Sequence, residues 1–304
     1  MKSSDELFQS VQALLPRSVV RRDEPLGKRT TLRVGGCADV YVEPSCEEDL
    51  GRTVAWCHEG GVPLMVLGRG SNLLVRDGGV RGVVVCLAHP SFARIEAVGA
   101  LLRCGAGAKL KAVAAAARER ALGGLEFLEG IPGSVGGALR MNAGAMGSAI
   151  FEVITAVRCM NESGHAQDRG VEEIGFEYRS CPFFKTHIAV EATFRGQPDA
   201  KEAVVLRGQQ LNQRRWESQP KEASAGCIFK NPSRKLPAGK LIEELGLKGA
   251  RRGGASVSTV HGNFIINEGS ATAADVLELI EFIKARAKAE QGIELSEEVE
   301  VIGE

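Results

Sequence analysis

The chain has 304 residues, of which 44% are hydrophobic and 25% charged, ordinary values for a globular protein long enough to build about two domains with cores of their own. Lys+Arg and Asp+Glu both total 38, so no global basic field exists to gather nucleic acid or an anionic membrane, and an anionic ligand must be held by local groups. The first residues, Met1 to Glu6, put two acids where a secretory peptide carries positive charge, and apolar runs such as Val83 to Ala88 are far too short to span a bilayer. A cytoplasmic protein with no membrane insertion is expected.

In chain order, residues 46 to 60 read as a helix with an acidic first turn, stopped by Gly60-Gly61. A strand from Val62 to Leu67 follows and ends in Gly68-Arg69-Gly70-Ser71-Asn72. Leu73-Leu74-Val75 and Val83 to Cys86 read as further strands, separated by the turn Asp77-Gly78-Gly79. Lys109 to Arg120 is an alanine-rich helix. Strands are expected at Ile154 to Met160 and Ile188 to Phe194, with a turn at Asn161 to Gly164 and a domain end near Pro198. Helices follow at Ala203 to Arg215 and Ala238 to Leu245, the latter closed by Gly246. After a strand at Asn263 to Asn267, Val276, Leu279, Ile280 and Ile283 share one helix face, opened by a capping box at Thr272 to Asp275 and closed by Gly292.

Two glycine-rich segments are candidate phosphate cradles. At Gly68 to Asn72, glycines that accept positive φ let successive N–H groups turn toward one anion. The dinucleotide fingerprint is absent, since Leu73 stands in place of its third glycine, and there is no Walker loop. The second segment, Gly130 to Gly147, packs six glycines into eighteen residues. Each costs about 0.5–1 kcal/mol relative to alanine in a regular element, and the apolar Ile131, Val135, Ala138, Leu139 and Met141 argue against a bare surface loop. A loop lining a ligand is expected.

The 8 cysteines form no C-x-x-C pair and no zinc spacing with histidine, so no metal site is expected and most read as small buried thiols. Cys227 is the exception. It lies in Ser224-Ala225-Gly226-Cys227-Ile228-Phe229-Lys230-Asn231-Pro232, between a glycine turn and what reads as a strand carrying a cation and an amide. By themselves Arg179 reads as a turn arginine and Glu298 as part of an acidic tail with Glu294, Glu297, Glu300 and Glu304, whereas at Cys227 the preceding glycine and the following Lys230 and Asn231 argue for a thiol facing a ligand over a packing residue.

Over nearly its whole length the chain resembles the UDP-N-acetylenolpyruvoylglucosamine reductases of bacterial cell-wall synthesis. The resemblance rests on Thr31-Leu32-Arg33-Val34-Gly35-Gly36, Gly68-x-Gly70-Ser71-Asn72, Gly130-Ile131-Pro132-Gly133-Ser134-Val135-Gly136-Gly137, Asn142-Ala143-Gly144-Ala145, Tyr178-Arg179, Gly226-x-x-Phe229-Lys230-Asn231-Pro232 and Leu295-x-x-Glu298-Val299. It implies an α+β, FAD-binding fold of the vanillyl-alcohol-oxidase and para-cresol-methylhydroxylase type, of the compact second kind. Two flavin-holding subdomains, 1–88 and 89–200, and a C-terminal α/β substrate domain, 201–304, are then expected.

The same resemblance implies an NADPH-dependent flavoenzyme that reduces an enolpyruvyl ether to a lactyl ether on a UDP-sugar. FAD contacts are implied for Gly68, Arg69, Gly70, Ser71, Asn72, Leu73, Gly130, Ile131, Pro132, Gly133, Ser134, Gly136, Gly137, Asn142, Gly144, Ala145 and Gly147. Arg179 is implied as the cation that stabilises the developing charge, Cys227 as the proton donor and Glu298 as the group completing the site; Lys230, Asn231, Lys235 and His261 are implied as substrate contacts. Two departures stand out: Cys227 occupies a position where serine is commoner, and Met146 one where many relatives have tyrosine. A thiol, with a reference pKa near 8.5, is a stronger acid than an alcohol. A small-molecule UDP-sugar is the expected partner, with no obligatory protein partner. A flavin oxidase on the same cradle, or a silent flavin-binding scaffold, are the rival classes.

Overall fold

The computed structural model describes residues 3–233 and 235–304. They form an α+β chain that divides into two compact units, each around an apolar core of its own. The first comprises the chain up to Arg22, Val40–Arg69 and Gly82–Arg215; the second comprises Asp23–Asp39, Gly70–Arg81 and Trp216–Glu304.

In the first unit, α1 (Ser4–Leu14) opens with a reciprocal capping box in which Ser3 Oγ accepts from Glu6 N–H and Glu6 accepts from Ser3 N–H. The helix α2 (Glu47–Glu59) has Glu47, Glu48 and Asp49 in its first turn, where the helix dipole favours negative charge, and Gly60 follows it. Strand Leu64–Leu67 runs parallel to Val80–Cys86, Leu64 opposite Val83; it begins two residues later than the sequence predicts, because Pro63 has no N–H to give and only its carbonyl joins the ladder, accepting from Val83. The helix α3 (Leu110–Glu119) buries Leu110, Val113, Ala114 and Ala117 on one face.

A five-stranded antiparallel sheet forms the body of this unit, in the order Ala166–Gly170, Ile154–Met160, Ile188–Arg195, Leu101–Gly105, Ile95–Val98. Against its strands Ile188–Arg195 and Leu101–Gly105 packs α4 (Val135–Met141). The sequence reads this stretch as a loop lining a ligand; glycines 136 and 137 hide a helix whose Val135, Ala138 and Leu139 are buried. The helix α5 (Lys201–Ser218) closes the unit and continues past it.

The second unit contains α6 (Ala238–Glu244) and α7 (Ala273–Gln291) over a four-stranded antiparallel sheet, in the order Ala223–Cys227, Phe264–Asn267, Ala255–Val257, Arg251–Arg252. Val276, Leu279, Ile280 and Ile283 are buried in its core, the face that the 3.6-residue period predicts. Separately, Leu73–Val75 pairs in parallel with Glu300–Ile302, Leu73 opposite Glu300. That last strand is absent from the sequence reading, since three residues are too few to show a period.

Candidate active site

In the second unit, Cys227 ends the strand Ala223–Cys227, and the ladder slips on the way to it. Ser224 faces Ile266 while Cys227 faces Phe264, so Ala225 and Gly226 oppose a single residue; Gly226 has φ +78°. Such a bulge re-aims the side chain that follows it. The next residues leave the strand: Lys230 and Asn231 lie beyond it, a correction to their reading as strand.

A lattice of main-chain bonds fixes Ile228, Phe229 and Glu298. Ile228 N–H donates to Asn263 O (2.9 Å), and Ile228 O accepts from Glu298 N–H (2.7 Å). Phe229 bridges Glu297, and Lys230 N–H donates to Ser296 O (2.8 Å). Buried Asn263 then acts as a surrogate main chain, its Oδ1 accepting from Phe229 N–H (2.9 Å) and its Nδ2 donating to Phe229 O (2.8 Å). Both its amide ends are satisfied, as a buried amide requires. Asn72 joins the same lattice, its Nδ2 donating to Glu298 O (2.9 Å) and its carbonyl accepting from Glu300 N–H (3.0 Å). Thr31 Oγ1 donates to Ser224 O (2.6 Å). Asn72, Glu298 and Ile228, the residue that follows Cys227, thus belong to one hydrogen-bonded cluster, although 226 residues separate Asn72 from Glu298.

Beside it opens a pocket of about 280 Å³ lined by Cys227, Asn231, Lys240, Glu243, His261 and Asn263, among others. Asn231 Oδ1 accepts from Ala238 N–H (3.0 Å) at the start of α6. His261 Nδ1 accepts from Asn263 N–H (3.1 Å), so the neutral ring carries its proton on Nε2. Burial, reinforced by the Lys248 ammonium, holds the imidazole below its ordinary pKa. Of the implied substrate contacts, Asn231 and His261 line this pocket; Lys230 lies on the bonded segment next to it, and Lys235 is exposed. Asn263 and Thr31 belong to this cluster and Lys240 lines the pocket, and the sequence reading left all three out of its site. The signal for Asn263 was an amide directly after Gly262 at the head of the apolar run Phe264-Ile265-Ile266.

Arg179 belongs to the first unit. Glu177 and Ser180 exchange main-chain bonds (2.8 and 3.2 Å), leaving Tyr178 and Arg179 at the tip of a tight turn with Arg179 at φ +57°. Its guanidinium carbon lies 5.2 Å from the Tyr178 ring centroid, and a Cβ added at Gly144 would sit 3.0 Å from its Nη1. Met146, at φ +54°, is also exposed. The glycine-rich stretch is held firmly: Gly136 N–H donates to Ala106 O (2.8 Å), Val135 N–H to Ala108 O (2.9 Å) and Leu110 N–H to Gly133 O (3.2 Å).

The glycines serve different ends. A Cβ at Gly70 would strike Arg29 O and Thr30 Cα at 2.6 Å, so that glycine is required by its own unit's backbone. A Cβ at Gly68 would approach Ser134 Oγ at 3.1 Å and Gly137 Cα at 3.8 Å, which draws the two glycine segments together within the first unit. Gly130 and Gly147 face open space, and buried Asn142 has its Oδ1 without a hydrogen-bond partner. Side-chain-free walls and a waiting buried acceptor fit a flavin dinucleotide.

Residues 38–169 match the model of an FAD binding domain, and residues 219–302 that of the UDP-N-acetylenolpyruvoylglucosamine reductase C-terminal domain. A UDP-N-acetylenolpyruvoylglucosamine reductase of Pelobacter propionicus is 41% identical over 97% of this chain and 99% of its own length. The chain belongs to the UDP-N-acetylenolpyruvoylglucosamine reductase family. The enzyme of that name from Staphylococcus aureus strain Newman is 38% identical over 98% of this chain and 97% of its own. The crystal structure of the Thermus caldophilus reductase superposes with a TM-score of 0.81 at 37% identity, covering 94% of this chain and 99% of that one. No helix among the described residues is long and apolar enough to cross a membrane.

Proposed function

We propose that this chain carries out the reduction for which its family is named, with Arg179, Cys227 and Glu298 as the groups that act on the substrate. The reaction turns the enolpyruvyl ether of UDP-N-acetylglucosamine enolpyruvate into the lactyl ether of UDP-N-acetylmuramate, a step of peptidoglycan precursor synthesis. FAD, when bound, supplies at the terminal enolpyruvyl carbon a hydride drawn from NADPH. Negative charge develops on the neighbouring carbon and its carboxylate. Arg179 stabilises that charge, the Cys227 thiol donates the proton that ends it, and Glu298 completes the acid–base set beside the carboxylate.

The observation that supports this reading is the lattice around Ile228, which bonds the main chain next to Cys227 to that of Glu298, beside a pocket that Cys227 lines. Rigid main-chain support of this kind keeps reactive groups in position. The Gly68–Leu73 and Gly130–Gly147 segments hold the FAD; the 1–88 and 89–200 regions are its carriers and 201–304 the substrate region. Asn231 and His261 contact the UDP-sugar in the pocket, and Lys230 and Lys235 take its diphosphate. A cytoplasmic location follows from the supply of nucleotide sugar and NADPH.

The test separates the two half-reactions. Arg179→Met and Glu298→Ala are expected to keep FAD and accept hydride from NADPH at the normal rate, while reoxidation by the enolpyruvyl UDP-sugar slows by roughly two to three decades, the usual worth of stabilising such charge. Rapid-mixing traces in which flavin reduction is the crippled step overturn the assignment.

A further inference from the structure

Asn142 touches both halves of the machinery in the first unit. It terminates α4 at φ +42°, ψ +55°, with its N–H donating to Leu139 O (3.1 Å). Its side chain then reaches across 35 residues, Nδ2 donating to Glu177 O at 2.9 Å. That carbonyl already accepts Ser180 N–H, so one oxygen closes the Arg179 turn from two directions. The other end of the same amide, Oδ1, is buried and has no hydrogen-bond partner. Arg179 itself occupies the left-handed region, which a non-glycine residue keeps only when its surroundings enforce it.

We propose that Asn142 is a positioning residue that ties the flavin-binding segment to the catalytic arginine. Its Nδ2 holds the Glu177–Ser180 turn, and with it the Arg179 guanidinium, in the geometry that meets the developing charge. Its buried Oδ1 would take a donor from FAD when the cofactor is bound, so that an occupied flavin site and a correctly set arginine would stabilise each other. Without that amide the turn loses an anchor that backs its strained residue, and the arginine drifts among conformers. This inference rests on the role given above to Arg179.

Three substitutions test it. Asn142→Gly keeps the left-handed backbone and deletes both ends of the amide; Asn142→Asp keeps an acceptor and removes the donor to Glu177. In both holoenzymes reoxidation of reduced flavin by the enolpyruvyl UDP-sugar is expected to slow about 10- to 100-fold, the scale of a misplaced catalytic group, while flavin reduction by NADPH changes by less than about twofold. In the Arg179→Met background the glycine substitution is expected to add less than about threefold, because a group acting through the arginine has nothing left to position. Fluorescence titration of apoprotein with FAD is expected to show weaker binding for Asn142→Gly and near-normal binding for Asn142→Asp. Additive losses in the double variant, or normal reoxidation in both single variants, overturn the positioning role; equal FAD affinities in all three proteins overturn the link to the cofactor. Wild-type turnover of the UDP-sugar in the same assay reports on the reaction itself, so failure there is distinguishable from failure of the inference.

Discussion

Cys227 stands apart from the packing thiols. Burial pushes Cys57 and Cys104 up to about 12 and raises Cys159 and Cys181 as well, so at neutral pH these four carry almost no reactive thiolate. Cys227 lines a pocket instead. Brief alkylation at pH 8 followed by peptide mapping is expected to label Cys227 ahead of those four, and excess UDP-sugar is expected to protect it; labelling indifferent to the ligand speaks against a substrate-facing thiol. His261 adds a pH signature. Its folded pKa lies below the ordinary value near 6.5, so as pH falls the unfolded chain takes up the proton first. The stability this residue contributes is complete above that value and is lost as pH falls through it toward the lower folded pKa. Between pH 7.5 and 5.5 the fall in Tm is therefore expected to be smaller in His261→Gln than in the wild type.

Among the elements, α7 shows what local patterns reveal and what they miss. Its capping box was legible: Thr272 Oγ1 accepts from Asp275 N–H (3.1 Å), Thr272 N–H donates to Asp275 (2.9 Å), and Gly292 at φ +67° ends the helix. Its second cap was not. Asp77, readable only as the first residue of a turn, accepts the N–H groups of Ala273 and Ala274 at 2.9 Å each, across almost 200 residues. Sequence spacing carries no trace of such a bond, because the helix end needs any carboxylate and the fold decides which. Thr272→Ala is expected to cost about 1 kcal/mol, and Asp77→Ala about 1–3 kcal/mol because two N–H groups lose a charged acceptor. Urea unfolding of the two variants checks the order; an Asp77→Ala protein as stable as the wild type removes this cap. The α4 helix is the converse case, since glycine's poor propensity concealed an element that buried Val135, Ala138 and Leu139 stabilise through packing.

For the whole molecule, the strands Ile154–Met160 and Ile188–Arg195 and the helices α3, α6 and α7 were legible from period and glycine punctuation, whereas Leu101–Gly105, α4, Ala166–Gly170, Ala255–Val257 and Glu300–Ile302 were not, nor was the assignment of chain to units. Asp23–Asp39 and Gly70–Arg81 join the core made mostly by the last 89 residues, from Trp216 to Glu304. Leu32, Val34 and Leu74 supply apolar contacts there, and Asn267 fastens the segment, donating to Leu32 O at 3.0 Å while its Oδ1 accepts from Gly269 and Ala271 N–H. Such long-range burial has no local pattern. The proposed reactive residues were legible only through motif resemblance: nothing local separates Glu298 from the four acids near it, and its main-chain bonds to Ile228 and from Asn72 Nδ2 appear only in three dimensions. The most direct test of the central claim is anaerobic stopped-flow mixing of NADPH-reduced holoenzyme with the enolpyruvyl UDP-sugar, in wild-type, Cys227→Ser and Cys227→Ala proteins of matched FAD content. Rapid flavin reoxidation is expected in the wild type, substantial reoxidation with serine, and a loss of about two to four decades with alanine, the usual worth of a general acid. A folded alanine variant that reoxidises its flavin at the wild-type rate, or wild-type flavin that stays reduced until oxygen is admitted, contradicts it.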